Sequence, residues 1–216
     1  MNILLDYDGT IHDTLGVYAA GFRKAYAYLT DKGLASPKDF TDRDISKWLG
    51  FSPKEMWDTF MPNLASSEKE ICTGIIGETM KELISAGEDS LYEGALETLK
   101  FLKDKGHTLI FLSNCTHEYM ENNRKQFELD RFYSGFYCSE DYGYAEKPVI
   151  FSSIIKDFPG EYLIVGDRFK DIEIGQIHGI DTVGCLYGFG SEAELEPATY
   201  KIKSIEKLKE AVKHFR

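Results

Sequence analysis

The chain has 216 residues, 43% hydrophobic and 28% charged, a mixture that excludes wholesale disorder and leaves room for one core with a substantial insertion. Its 25 Lys+Arg against 36 Asp+Glu give a formal net charge of −11, and so acidic a surface repels the phosphates of a nucleic acid. An anionic substrate must therefore be held by local positive charge or by a bound cation.

Ile3-Leu4-Leu5 is a short apolar run that stops at Asp6-Tyr7-Asp8-Gly9-Thr10, which reads as a buried strand opening into a functional loop. Residues 14–89 show helical periodicity instead, as in Val17, Ala20, Phe22, Tyr26 and Leu29, and again in Ile71, Ile75, Met80 and Leu83. Breaks at Gly33, Pro37, Gly50-Phe51-Ser52-Pro53, Pro62 and Gly87 divide this stretch into about four helices. After Tyr92-Glu93-Gly94 strands and helices alternate. A helix over Ala95–Asp104 precedes a strand over Thr108–Leu112. A helix over Glu118–Phe127 and a short strand near Phe136–Cys138 follow, then a helix after Lys147-Pro148 and a strand over Tyr162–Val165. A helix over Asp171–Ile177, a strand over Thr182–Leu186 and a terminal helix over Ile205–Phe215 complete the chain.

This alternation predicts an α/β fold: a Rossmann-like three-layer core with a mostly parallel sheet, built from residues 1–13 and 90–216, and an inserted all-α domain over residues 14–89. No stretch approaches ~18 uninterrupted apolar residues, so no membrane span is expected. No basic segment precedes the first apolar run, so no signal peptide is read there. The scattered Cys72, Cys115, Cys138 and Cys185 contain no C-x-x-C, and reduced cytoplasmic thiols are expected rather than zinc or disulfides.

In open α/β sheets ligands bind beyond the carboxyl ends of the strands, which makes the polar groups there the candidates. The first strand delivers Asp6 and Asp8, two residues apart and so on the same side of an extended segment, and Gly9 frees the backbone to turn. The second delivers Ser113 and Asn114, the fourth delivers Asp167 with Asp171 four residues on, and Lys147 begins the helix before it. One carboxylate can attack phosphorus while its neighbour protonates the leaving oxygen. Converging carboxylates repel one another. A hard divalent cation relieves this, and magnesium, which uses few carboxylates and also binds substrate phosphate, suits the set. Lys147 and the Ser113 hydroxyl can neutralise the phosphoryl oxygens. Taken singly, each group has a plainer reading: a solvated turn for Asp6 and Asp8, a helix cap for Ser113, a surface lysine for Lys147, and a helix start for Asp167 and Asp171.

Taken in order, the groups resemble the four motifs of the haloacid dehalogenase superfamily, over nearly the whole chain. Asp6-Tyr7-Asp8-Gly9-Thr10 is similar to its D-x-D-G-T motif, Leu112-Ser113-Asn114 to the second, Lys147-Pro148 to the third, and Gly166-Asp167 through Asp171 to the acidic fourth. The helical insertion directly after the first motif resembles the cap of the phosphoglycolate phosphatase and β-phosphoglucomutase-like branch. The resemblance implies a magnesium-dependent phosphatase that hydrolyses a small phosphorylated metabolite through an aspartyl-phosphate. Asp6 is then the nucleophile and Asp8 the acid/base; the Asp6 carboxylate, the Asp8 backbone carbonyl and Asp167 hold Mg2+. Ser113, Asn114 and Lys147 hold the phosphate, with Asp171 and Thr10 in support. The chain departs from the pattern by placing Arg168, Phe169 and Lys170 between the acids of the fourth motif, and by lacking the proline common before Gly94.

A sugar phosphomutase shares the whole core and is the nearest rival. A phosphonatase needs a Schiff-base lysine in the cap, and a dehalogenase typically lacks the second aspartate that Asp8 supplies. A non-enzymatic phospho-acceptor module, such as a response-regulator receiver, is shorter and has no large helical insertion. No nucleic-acid or membrane partner is expected, and the chain is read as a monomer or homodimer. Within the cap, Arg43 and Lys47 share a face of an expected helix over Asp42–Leu49 and are candidate contacts to a second substrate anion. The alternative is a solvated face balanced by Asp42 and Asp44. His12 has no second histidine at metal-ligand spacing and reads as a hinge or surface residue; Gly188-Phe189-Gly190 reads as a turn.

Overall fold

Residues 1–215 are described by the structure, a computed structural model. Its sheet is built from β1 (Asn2–Leu5), β2 (Thr108–Ser113), β3 (Tyr133–Cys138), β4 (Tyr162–Gly166), β5 (Thr182–Cys185) and β6 (Tyr200–Ile202). The strands lie in the order β3-β2-β1-β4-β5-β6, and every pairing is parallel. Leu5 is in register with Phe111 of β2 on one side and Val165 of β4 on the other, so the carboxyl ends of these three strands lie abreast. The chain winds outward from β1 to β3 in one direction and from β4 to β6 in the other. The crevice where that order reverses is where such sheets bind ligands.

Both faces of the sheet are covered, which is why its strands read as continuous apolar runs rather than as alternations. Ile3, Leu5, Phe111 and Val165 pack with Leu99 and Leu102 of α5 (Ala95–Asp104). Leu4, Ile110 and Ile164 pack on the other face against Ile150, Phe151 and Ile154 of α7 (Lys147–Asp157) and Ile174 of α8 (Phe169–His178). These side chains are at most 1% exposed, and each Leu or Ile so buried contributes about 1.5–3 kcal/mol.

Between β1 and α5 lie α1 (Leu15–Asp31), α2 (Asp42–Ser46), α3 (Pro53–Phe60) and α4 (Ser66–Ser85). They form a core of their own around Val17, Leu29, Trp57, Cys72, Ile76 and Met80. The α3 start has a local cause: Ser52 caps it, Glu55 closes a capping box, and Pro53 sits where no backbone donor is needed. At the base of the insertion an antiparallel bridge, His12 to Leu91, holds its two connecting segments together.

The structure adds one element and corrects two expectations. The edge strand β6 is absent from the sequence reading, since it has only three residues, two of them exposed, and carries no readable periodicity. The terminal helix is broken into a 3-10 turn at Ile205–Lys207, a single α-turn α9 (Leu208–Ala211) and a second 3-10 turn at Val212–His214. The helix expected over Asp42–Leu49 ends at Ser46, where the chain enters the turn that Gly50 completes with φ of 85°. Among the described residues no helix is long and apolar enough to cross a membrane.

Candidate active site

The segments just after β1 and β4, the first turn of α8 and the start of α7 place three carboxylates and one lysine together. Lys147 Nζ donates to Asp6 Oδ1 and to Asp171 Oδ1, both at 2.6 Å, and its side chain is only 3% exposed. Carboxylate oxygens of Asp6, Asp167 and Asp171 all lie within 4.8 Å of one another. Burial, then the charge of Asp171, pushes the Asp6 carboxyl well above the ordinary carboxylate range despite Lys147; the same two causes push Asp167 up to about 7. This is an excess of buried negative charge that a bound cation would relieve.

The individual oxygens separate the roles. Both oxygens of Asp171 are engaged, one by Lys147 and the other by the Arg168 backbone N–H, which it caps at 3.0 Å. Asp167 Oδ2 accepts from the Phe189 N–H at 2.6 Å, while its Oδ1 is buried with no partner among the described residues. A buried carboxylate oxygen left unpaired is costly, and a hard cation with oxygen ligands fits it. The glycines explain how the loops come this close. A Cβ at Gly9 would lie 2.2 Å from Asp167 Oδ2, and one at Gly188 would lie 2.4 Å from both Asp167 Cβ and the Gly9 carbonyl. Gly188-Phe189-Gly190, which reads as a turn in the sequence, therefore frames the aspartate that holds the orphan oxygen.

Asp8 sits beside this cluster in a different environment. Its Oδ1 accepts from Thr14 Oγ1 at 2.5 Å and from the Tyr119 hydroxyl at 2.6 Å, and His12 Nδ1 lies 3.5 Å away. Ser113 Oγ donates to Asp8 Oδ2 at 3.4 Å. Burial works to raise the Asp8 carboxyl, but the hydrogen bond and charge of His12 and the hydroxyls of Thr14 and Tyr119 outweigh it and leave it lowered. His12 is wholly buried, not a surface residue, and its Nε2 lies 3.2 Å from Asp89 Oδ2. Thr14, Tyr119 and the buried place of His12 escape a sequence reading because α6 (His117–Gln126) brings Tyr119 to Asp8 from 111 residues away.

Asp6, Asp8, Ser113 and Asn114 form the floor of a cavity of about 340 Å³ whose walls come from the helical insertion and α6. Asn114 points its amide at the insertion, donating to the Gly50 carbonyl at 2.9 Å. Thr10 is fully buried beneath the loop; its carbonyl accepts from Tyr187, and its hydroxyl has no partner. Arg43 and Lys47 do not reach the cavity. On the short α2 the inward position is taken by Ile45, at 0% exposure, which leaves both cations exposed, with Lys47 Nζ 5.1 Å from the centre of the Trp48 ring.

The basic residues of the fourth motif have a clear destination. The Arg168 guanidinium donates to the Leu49 carbonyl, pairs with Glu194 at 3.0 Å and lies over the Phe51 ring. Lys170 Nζ reaches Glu55 Oε1 at 2.5 Å. Arg168, Lys170 and Asn114 thus fasten the α2–α3 turn of the insertion onto the core, directly above the carboxylates.

A sequence model of the haloacid dehalogenase-like hydrolases matches residues 1–179. A 5′-nucleotidase from Pseudomonas aeruginosa is 26% identical over 199 residues, covering 90% of this chain and 86% of that protein. Pyrophosphatase PpaX from Bacillus pumilus is 25% identical over 199 residues, with 89% and 86% covered. The crystal structure of a "predicted phosphoglycolate phosphatase" from Haemophilus somnus superposes with a TM-score of 0.83 at 20% identity, over 98% of this chain and 97% of that one. With the family matched from the first motif through the fourth, over a sheet, insertion and carboxylate cluster in the places described, the chain belongs to the haloacid dehalogenase-like hydrolases.

Proposed function

We propose that the chain is a magnesium-dependent phosphatase, hydrolysing a small phosphate monoester through an aspartyl-phosphate on Asp6 with Asp8 as acid and base. The observation that carries the reading is the convergence of Asp6, bound to Lys147, with Asp8 and the unpaired Asp167 oxygen at the end of one sheet, beneath a roofed cavity. Asp6, the Asp8 backbone carbonyl and Asp167 would hold magnesium, which supplies neutralising charge for the phosphoryl oxygens when bound.

The residues of the chain do the rest. Asp6 attacks phosphorus, the bond from phosphorus to the leaving oxygen breaks, and its electron pair goes to that oxygen, which takes a proton from Asp8. Water then attacks the acyl phosphate and gives a proton back to Asp8, releasing phosphate and regenerating Asp6. Lys147 keeps the Asp6 carboxylate oriented and offsets phosphate charge. His12, Thr14 and Tyr119 favour the ionised form of Asp8 in the free protein; an incoming phosphate dianion raises its proton affinity, so Asp8 takes up from solvent, as substrate binds, the proton it then gives to the leaving oxygen. The closing experiment is phosphate release from a panel of monoesters with and without magnesium; a phosphorylated protein that never turns over would point to a phospho-acceptor module instead.

Chelation should abolish turnover and magnesium should restore it. Magnesium binding should also be pH-dependent. A carboxylate whose folded-state pKa is raised favours the fold below its unfolded value, and that contribution is lost as pH rises through about 7 for Asp167. Below that pH a proton competes with the cation; above it the ionised Asp167 is costly until the cation arrives. The magnesium-induced rise in Tm should therefore be larger at pH 8 than at pH 6. Undiminished turnover in excess chelator, or the opposite pH trend, would defeat the metal assignment.

Asp8→Asn should slow phosphorylation of Asp6 by an alkyl phosphate about 100-fold or more, since its leaving oxygen needs the proton. A nitrophenyl phosphate, with a good leaving group, should suffer far less in single-turnover phosphorylation. Equal slowing of both would remove Asp8 from the general-acid role.

A further inference from the structure

We infer that the substrate's leaving group is uncharged, with a flat apolar face and a polar edge, and that the substrate class is the nucleoside monophosphates rather than carboxylated or doubly phosphorylated esters. The inference rests on the phosphatase reading, which assigns the phosphate to the Asp6 end of the cavity. At about 340 Å³ the cavity continues well beyond that end and falls within the roughly 300–1,000 Å³ that encloses drug-sized ligands.

The far walls are apolar and polarisable: Trp48 and Phe51 from the α2–α3 turn, Met56 and Trp57 from α3, Ile76 and Met80 from α4. Aromatic and thioether side chains of this kind suit a flat π-system. Charge points the same way. Among the described residues, Lys81 is the one cation on the lining, and its Nζ is 2.6 Å from Glu118 Oε1 and 4.0 Å from Glu78 Oε1. Both of those acids and Glu140 also line the cavity. A carboxylate or second phosphate on the leaving group would meet Glu78, Glu118 and Glu140 there, and the one cation beside them is already paired. The other nearby cations are committed elsewhere: Arg168 and Lys170 fasten the insertion, and Arg43 and Lys47 are exposed outside the cavity.

Two further features favour a nucleoside over a plain apolar alcohol. Asn122 of α6 lines the cavity, is half-buried, and has no hydrogen-bond partner among the described residues, so its amide is open to offer a donor and an acceptor to a base edge. Gly74 and Gly77, three apart on α4, also line it, and a Cβ at either would meet nothing within 4 Å. Glycine is disfavoured inside a helix, and no packing neighbour requires it at these positions. What the two glycines provide is open space along the wall.

The test uses the full chain with magnesium and measures kcat/KM for nucleoside 5′-monophosphates, phenyl phosphate, 2-phosphoglycolate and pyrophosphate. The expected result is that at least one nucleotide exceeds both anionic-leaving-group substrates by about 100-fold or more. In Asn122→Leu and Gly77→Met, checked for folding by circular dichroism, the ratio of nucleotide to phenyl phosphate kcat/KM should fall about tenfold, mostly through KM. Preference for 2-phosphoglycolate or pyrophosphate would overturn the inference and leave the phosphatase reading standing. Phenyl phosphate outperforming every nucleotide, or an unchanged ratio in both variants, would overturn the nucleoside assignment. No phosphate release from any of the four classes would bring down the phosphatase reading, and this inference with it.

Discussion

Asp6→Asn should remove turnover while leaving the fold in place. The amide keeps the size of the side chain and can still accept a hydrogen bond from Lys147, which lies 2.6 Å from the present carboxylate. It cannot form the acyl phosphate. A loss of about 10⁴-fold or more is expected, equivalent to roughly 5.5 kcal/mol of barrier. The substitution also takes one charge out of a cluster in which burial and the neighbouring acids already hold Asp6 far above its ordinary range. In metal-free buffer at pH 8 the variant should therefore be at least as stable as the parent, a readout that separates lost chemistry from lost structure. Turnover within about tenfold of the parent, about 1.4 kcal/mol, would mean that the nucleophile lies elsewhere.

Lys147→Met should damage both stability and activity. Its ammonium lies between Asp6 and Asp171, with all three side chains at most 5% exposed, so its removal leaves buried carboxylates with no counter-charge. Breaking a buried pair from one side costs about 3–5 kcal/mol. For a chain of this size that corresponds to a Tm lowered by roughly 6–20 °C in chelator at pH 8. The sign with pH follows from the carboxylates. Burial and the charge of Asp171 already raise Asp6, and without the lysine its folded-state pKa rises further above the unfolded one, so the variant regains stability as pH falls and that acid takes up a proton, and loses it as pH rises. The deficit should be smaller at pH 5 than at pH 8. Under the proposed mechanism, in which Lys147 orients Asp6 and offsets phosphate charge, its loss should lower kcat/KM by about 10²–10³-fold. A Tm within about 2 °C of the parent at pH 8 would show that the aspartates are already compensated by other groups.

The sequence by itself determined the fold class, the family and the identity of the candidate groups. Each of these is written locally. The apolar runs 3–5, 109–112 and 163–165 are continuous because both faces of a parallel sheet are covered, and each ends at the polar residues that the sheet presents on one edge. The helical period of the insertion is equally local, and its four helices lie where the Gly and Pro breaks divide the chain. Short elements were not legible: β6 and the broken terminal helix contain too few residues for a period to register, and their conformation depends on what they pack against.

Only the tertiary structure decided what surrounds each candidate group. Asp171 and Asp167 look alike in the sequence, yet one has both oxygens engaged and the other keeps an unpaired one, a difference made by Lys147, Arg168 and the Phe189 N–H arriving from separate elements. Asp8 owes its low-lying carboxyl to Tyr119 on α6 and to a histidine that looks like a hinge residue until burial sets it against Asp89. Arg43 and Lys47 have the right spacing to face a substrate, but spacing specifies only a shared face, and Ile45 took the inward one because burying an isoleucine is favourable and burying an unpaired cation is not. Arg168 and Lys170, unplaced by any pattern, fasten the insertion to the core because carbonyls at the end of a short helix and one carboxylate happen to face them across the cleft. Those contacts join residues more than 100 positions apart, and the chain encodes them only through the packing of the whole.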